Sequence, residues 1–338
     1  MEWSVVIPAG RPGAARATLD SLLAQTSTPP TGWEAIVVTP HPEDTAADPR
    51  IRYVVVPRLE MPGVMRNLGA AQARGRWLLF VDDDISLAPD FFGRLQHFIA
   101  GAEKASGAPI GAIGPRLPGP DDSFAGRLTD LSNFWSQQAL TPGDRPWLYS
   151  ATMAMPAELF RALGGFSPRL KIGEDVDLTQ RVLHAGHRVC YDPALVAWHR
   201  HGRVTFARMV RYFWANGGAA PFLHQHCDHP RCFSIQTAVR HAWRDARSNY
   251  AINHESVAEI SRMIFGVFMN YLLFQLSVEW HHQQGLLAGH RYATLPAATP
   301  SDRRTLQALA DLQNGRGIRG SLRYLGAMWL DLFDPARR

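Results

Sequence analysis

Cysteine is scarce: the 338 residues hold three, Cys190, Cys227 and Cys232. So small and odd a number excludes a disulfide framework and points to a reducing compartment, hence to a cytoplasmic protein. Blocks of one charge are absent as well. The formal charge of +5 comes from 35 Lys and Arg against 30 Asp and Glu, spread along the chain. No nucleic-acid partner is called for, and the scattered cations suit an anionic substrate or a membrane surface. The chain opens Met1-Glu2-Trp3-Ser4-Val5-Val6-Ile7-Pro8, which enters a strand with no basic segment and apolar core before it, so no signal peptide is expected. Long apolar runs are few. Met263 to Val278 is near the short limit for spanning a bilayer and carries Asn270 and Gln275, which favours a buried or interfacial helix. No internal repeat and no low-complexity segment is present.

What is there is centred on Trp77-Leu78-Leu79-Phe80-Val81-Asp82-Asp83-Asp84. An unbroken apolar run ended by polar residues reads as a buried strand of a parallel sheet. Ligands of open α/β sheets bind beyond the carboxyl ends of such strands. Three adjacent aspartates repel one another unless a positive group sits among them, and a divalent cation takes carboxylate oxygens. The plainer alternative has one Asp capping the next helix and the others solvated, which explains one carboxylate better than three.

Around this stretch the chain alternates. Strands are expected over Ser4–Pro8, Ala35–Thr39, Ile51–Val56 and Ile110–Arg116, with an apolar strand over Trp147–Met155. Helices are expected after Gly13 (Ala15, Leu19, Leu22 and Leu23 inward), over Gly63–Arg74, after Pro89, and over Ala157–Ala162. A doubly wound, mostly parallel α/β sheet follows from that order. A second acidic group, Gly173-Glu174-Asp175-Val176-Asp177, opens a helix closed by Gly186, with short strands expected at His187–Tyr191 and Leu195–His199. Capping alone would account for acids at a helix start. Two separated carboxylate groups nevertheless suit a division of labour, one holding metal and one moving a proton. Trp198-His199-Arg200-His201 ends a strand, and a neutral His would complete a cation that two Asp leave under-coordinated. After Gly202 the chain turns helical and aromatic, which divides it into residues 1–203 and a mainly helical 204–338. His224, His226, Cys227, His229 and Cys232 form a dense cluster, yet meet no standard zinc spacing.

In this order the landmarks resemble the inverting glycosyltransferases of family 2, whose fold is GT-A. The resemblance covers residues 3 to about 215. It rests on Ser4–Pro8, Arg11 and Thr18–Thr26; on Arg66-Asn67-Leu68-Gly69 with Arg74-Gly75; on Phe80-Val81-Asp82-Asp83-Asp84; and on Gly164-Gly165-Phe166, Gly173–Leu178 and Arg181. It implies a metal-dependent inverting enzyme that uses Mn²⁺ or Mg²⁺ and a UDP-, GDP- or TDP-linked sugar. Asp175, with Glu174 beside it, would be the base that deprotonates the acceptor. Asp84, Asp82 and His199 would hold the metal, and Pro8, Arg11, Thr39, Arg66, Asp82 and Asp83 would line the donor. Trp147, Tyr149 and Trp214 would lie on the side of the acceptor, be it a glycan, a lipid carrier, a peptide or a small molecule. Tyr212, Phe213 and Trp214 serve as a floor or equally as core packing. The reading leaves room for a homodimer and for peripheral contact with the inner face of a membrane. One departure stands out. The family carries an acidic pair after its second strand, whereas this chain reads Val38-Thr39-Pro40-His41-Pro42, so the nucleobase contact would fall to Thr39 through its backbone, or the donor nucleotide would differ from UDP. Two rivals remain: a sugar nucleotidyltransferase, for which Gly10-Arg11-Pro12-Gly13 is a poor triphosphate loop, and a non-catalytic scaffold, which would not need Asp82, Asp84 and Asp175 together.

Overall fold

A computed structural model describes residues 2–27, 32–41, 48–104, 107–120, 123–133, 137–145, 147–170 and 172–213, with Ser261, Ile264, Phe265 and Met269 as isolated helical positions. Four strands form its parallel half: β1 (Trp3–Pro8), β2 (Trp33–Thr39), β3 (Ile51–Val55) and β4 (Trp77–Val81). β1 lies between β2 and β4, and β3 extends the sheet beyond β2, all in parallel. Every residue of β1, β2 and β4 is buried, which is why these strands read as unbroken apolar runs instead of alternating patterns. The helices α1 (Arg16–Leu23) and α2 (Pro62–Ala71) fall on opposite faces. At Gly69 of α2 an added Cβ would collide with Val6 and crowd Val38, so this glycine is what lets the helix settle onto β1 and β2.

Beyond β4 the sheet becomes mixed. Its full order is β3-β2-β1-β4-β8-β6-β9-β5, where β5 is Ile85–Leu87, β6 Ile110–Arg116, β8 Thr152–Pro156 and β9 Arg188–His199; a short β7 (Gly143–Asp144) also pairs with β9. β8 is antiparallel to both β4 and β6, while β6 and β9 run parallel. Helices α1 and α3 (Phe91–Lys104) cover one face over Trp3, Leu79, Val81, Phe91 and Leu95; α2, α5 (Ala157–Ala162) and α6 (Glu174–His184) cover the other over Phe80, Met153, Phe160, Phe166 and Leu178. The expected α/β architecture with flanking helices is therefore present.

Three local differences have physical causes. The strand expected over Trp147–Met155 forms only from Thr152, because the Tyr149 and Ser150 N–H groups bond side chains, Gln137 Oε1 at 2.7 Å and Asp175 Oδ2 at 3.2 Å. The two short strands expected after Gly186 are one, with a break in register: Pro115 pairs with Asp192, but Arg116 pairs with Val196. A helix, α4 (Phe124–Asn133), occupies a stretch whose pattern was weak; it buries Thr129 and Asp130 beside Leu128, so its inner face is not apolar. Residues 206–213 are helical, as expected. Among the described residues no helix is long and apolar enough to cross a membrane. The 224–232 cluster, Trp214 and, apart from the isolated positions, the 263–278 stretch lie outside the described residues.

Candidate active site

The three aspartates leave the end of β4 in a tight turn. Asp82 N–H donates to Ala151 O at 2.9 Å, and Ile85 N–H returns to Asp82 O at 3.2 Å, which starts β5. Polar side chains of helix α1 and of Gln25, just past its end, fasten this turn and the strand after it. Thr18 Oγ1 donates to Ile85 O at 2.6 Å, Ser21 Oγ accepts Leu87 N–H at 3.1 Å, and Gln25 Nε2 donates to Ala88 O at 2.8 Å. A reading of apolar periodicity missed these three. Their signal is the spacing of Thr18 and Ser21 on one face of the helix, with Gln25 just past its end.

Each aspartate faces a different partner. Asp82 Oδ1 accepts from Arg66 Nη2 at 2.5 Å, and the other arm of the same guanidinium donates to Glu174 Oε1 at 2.9 Å. Arg66 is only 3 % exposed. Burial works against its charge, but Asp82, Glu174 and Asp175 around it hold the guanidinium more firmly protonated than usual. Asp83 turns to the β1–α1 loop, where Gly10 N–H donates to it at 3.2 Å and Arg11 stands 3.9 Å away. Burial and the charge of Asp84 push its carboxyl up in spite of these contacts. Asp84 Oδ1 is buried and lies 3.3 Å from His199 Nε2 without accepting a hydrogen bond. Burial would raise Asp84, yet His199 beside it, with Arg203 further out, holds it below the ordinary aspartate range.

The second acidic group arrives on α6. Gly173, its N-cap, has φ +83°, a left-handed conformation that a side chain would strain. Glu174 is buried, and burial together with the Asp175 charge pushes it up to about 7 against the pull of Arg66. Burial is the larger cause, and the Asp175 charge adds to it, since both carboxylates look to the Arg66 guanidinium. Asp175 is half-buried. Its Oδ2 accepts Ser150 N–H at 3.2 Å and its Oδ1 accepts Val176 N–H at 2.8 Å. Burial raises its carboxyl above the ordinary range despite these bonds and Arg66. Asn67, next to Arg66, exchanges two hydrogen bonds with the Phe166 backbone, at 2.8 and 2.9 Å. Arg181 Nη1 and Nη2 donate to Leu163 O and Gly165 O at 2.6 and 2.7 Å, so α2 and α6 both grip the Gly164-Gly165-Phe166 loop.

The fold thus joins Asp82, Arg66, Glu174 and Asp175 into one network, sets Arg11 near Asp83, and brings His199 to Asp84. Trp147 and Tyr149 precede Ser150, whose N–H holds Asp175. Pro8 is buried in β1. The Thr39 hydroxyl accepts His41 N–H at 3.1 Å and its carbonyl accepts Val56 N–H at 3.0 Å, so both groups are already engaged locally.

A divalent cation fits one point of this arrangement. A buried carboxylate oxygen that accepts no hydrogen bond, beside an imidazole nitrogen, is a donor pair suited to Mn²⁺ or Mg²⁺. Among the described residues no group of three or more His, Cys, Asp or Glu side chains converges, and Asp82 Oδ1 already receives Arg66.

A mixed sheet with carboxylates at its strand ends, flanked by helices on both faces, defines a class of ligand-binding α/β proteins. Residues 3–213 match the family model described as "Glycosyltransferase like family 2", and the chain belongs to that family. It is similar to the O-antigen biosynthesis protein RfbC of Myxococcus xanthus, with 29% identity over 213 residues, 55% of this chain and 16% of that protein. It is also similar to the pre-mycofactocin glycosyltransferase of Mycobacterium tuberculosis, with 24% identity over 195 residues, 55% of this chain and 40% of that protein. The chain thus spans less than half the length of either relative. Among solved structures, the mannosyltransferase PcManGT from Pyrobaculum calidifontis, in complex with GDP-Man and Mn²⁺, aligns with 99% of this chain and 88% of that chain, at 15% identity and a TM-score of 0.49.

Proposed function

We propose that the protein is an inverting glycosyltransferase, which moves a sugar from a nucleoside-diphosphate donor to an acceptor hydroxyl with Asp175 as the base. The observation that carries this is Asp175 itself. Its carboxylate is fixed by two backbone N–H groups, partly open, and raised by burial above the ordinary aspartate range, which suits a general base. The acceptor O–H loses its proton to Asp175 as its oxygen attacks the anomeric carbon. The bond from that carbon to the donor's phosphate oxygen breaks on the opposite face, and the nucleoside diphosphate departs with the electron pair. One displacement inverts the anomeric centre.

Asp84 and His199 would hold Mn²⁺ or Mg²⁺, which when bound offsets the charge developing on the departing diphosphate. The Arg66 guanidinium keeps Asp82 and Glu174 in place and so sets the distance between the donor side and α6. Asp83, tied to Gly10 and near Arg11, would border the donor, and Trp147 and Tyr149, ahead of the Ser150 that bonds Asp175, would border the acceptor.

A thermal-shift screen of UDP, GDP and TDP, each with and without Mn²⁺, tests the donor site, because a ligand that binds only the native state raises the melting temperature. One nucleotide is expected to raise it by several degrees with Mn²⁺ and by much less without. A flat response to all of them contradicts the donor assignment.

A further inference from the structure

The proposed metal pair is backed by a second pair of side chains. Asp130 of α4 is fully buried, and its Oδ1 lies 3.1 Å from His201 Nε2. The other ring nitrogen, His201 Nδ1, accepts Arg203 N–H at 3.0 Å. With Nδ1 an acceptor, Nε2 carries the proton and donates to Asp130, so the ring is fixed in tautomer and direction. That ring stands edge-on to His199, 5.5 Å between centroids and 85° between planes. The backbone around His199 is tied at the same place: His199 N–H donates to Pro118 O at 3.0 Å and Arg200 N–H to Asp84 O at 2.9 Å. Asp130 also presses on the loop before α4, because an added Cβ at Gly119 would collide with its Oδ2. Asp130 Oδ2 has no hydrogen-bond partner among the described residues. A carboxylate buried at that cost, 71 residues from the histidine that it binds, does more than fill space.

We propose that Asp130 and His201 are positioning residues, which hold the His199 imidazole in register with Asp84 and so preorganise the cation site. This rests on the reading of Asp84 and His199 as metal ligands. Groups behind a ligand that set its direction typically cost about 10–100-fold in metal affinity or activity when removed. The pair acts through a hydrogen bond, not through charge, so an amide at 130 that still accepts from Nε2–H serves nearly as well. Replacing both partners by apolar groups of similar shape removes the buried carboxylate together with the ring N–H that faces it, at the cost of the bond from Arg203 N–H, and keeps the fold.

The test uses the full chain and Mn²⁺ alone, with binding read from the loss of the free-ion EPR signal and melting temperature recorded in parallel. Asp130→Asn should bind Mn²⁺ within about 3-fold of the unaltered chain, whereas the double variant Asp130→Leu/His201→Phe should bind at least about 10-fold more weakly at a similar melting temperature. Wild-type affinity in the folded double variant overturns the positioning role and leaves the metal reading intact. Failure of the unaltered chain to bind Mn²⁺ overturns the metal reading, and this inference with it.

Discussion

Asp175→Asn should lower turnover by about 10²–10⁴-fold while nucleotide affinity stays within about 2-fold. The amide keeps the shape and one acceptor for the two N–H groups of Ser150 and Val176, but it cannot take a proton from the acceptor. The fold should not suffer, because the lost charge is one of those that push Glu174 up. The pH profile of the unaltered enzyme carries the same signature. A base must be deprotonated to act, and the Asp175 carboxyl is raised, so the acidic fall in kcat/KM should lie above the ordinary aspartate range. Steady-state rates and nucleotide titrations of the two proteins check both statements. Unchanged turnover in the variant would remove Asp175 as base.

Arg66→Met should cost about 3–5 kcal/mol of stability, as expected when one member of a buried ionic network is removed and its partners stay behind. The guanidinium is the cation of this network among the described residues, bonded to Asp82 and Glu174 and felt by Asp175. Without it, Glu174 has burial and Asp175 pushing it up and no guanidinium opposing them, and its carboxyl should rise further. The companion double variant Arg66→Met/Glu174→Gln removes that carboxylate and should recover part of the loss. Urea denaturation of the three proteins at one pH measures both effects. A loss below about 1 kcal/mol in the single variant would mean that Arg66 is not what holds α6 to the end of β4.

These two residues also show how far the sequence could be read. Asp82–Asp84 and Glu174-Asp175 were legible because each group stands at an element boundary, where the hydrophobic pattern stops and the register of the chain is marked. β1, β2 and β4 were legible because strands buried on both faces are apolar throughout. Arg66 was legible as a landmark but not in its role. It was expected near the nucleotide, and its bonds to Asp82 and Glu174, 16 and 108 residues away, could not be read because those residues are joined to it only by folding. The Asp130–His201 pair was hidden for the same reason, on a helix that buries Thr129 and Asp130 beside Ala125 and Leu128 and so blurs its apolar period. β5 and β7, three and two residues long, are set by pairing with β9 and not by their own pattern. The nucleobase side stays the least marked, since no acid follows Val38 before Glu43 and Thr39 spends its hydroxyl and carbonyl on its own turn and on Val56.

Inversion by a single displacement is open to one direct measurement that needs no knowledge of the acceptor. A nucleotide sugar with an α-linked donor bond is incubated with the full chain and Mn²⁺, and ¹H NMR follows the first sugar released to water before mutarotation. The β-anomer should appear first, with nucleoside diphosphate formed in equal amount, and Asp175→Asn should suppress both. First release of the α-anomer would contradict the single displacement and the role of Asp175 together.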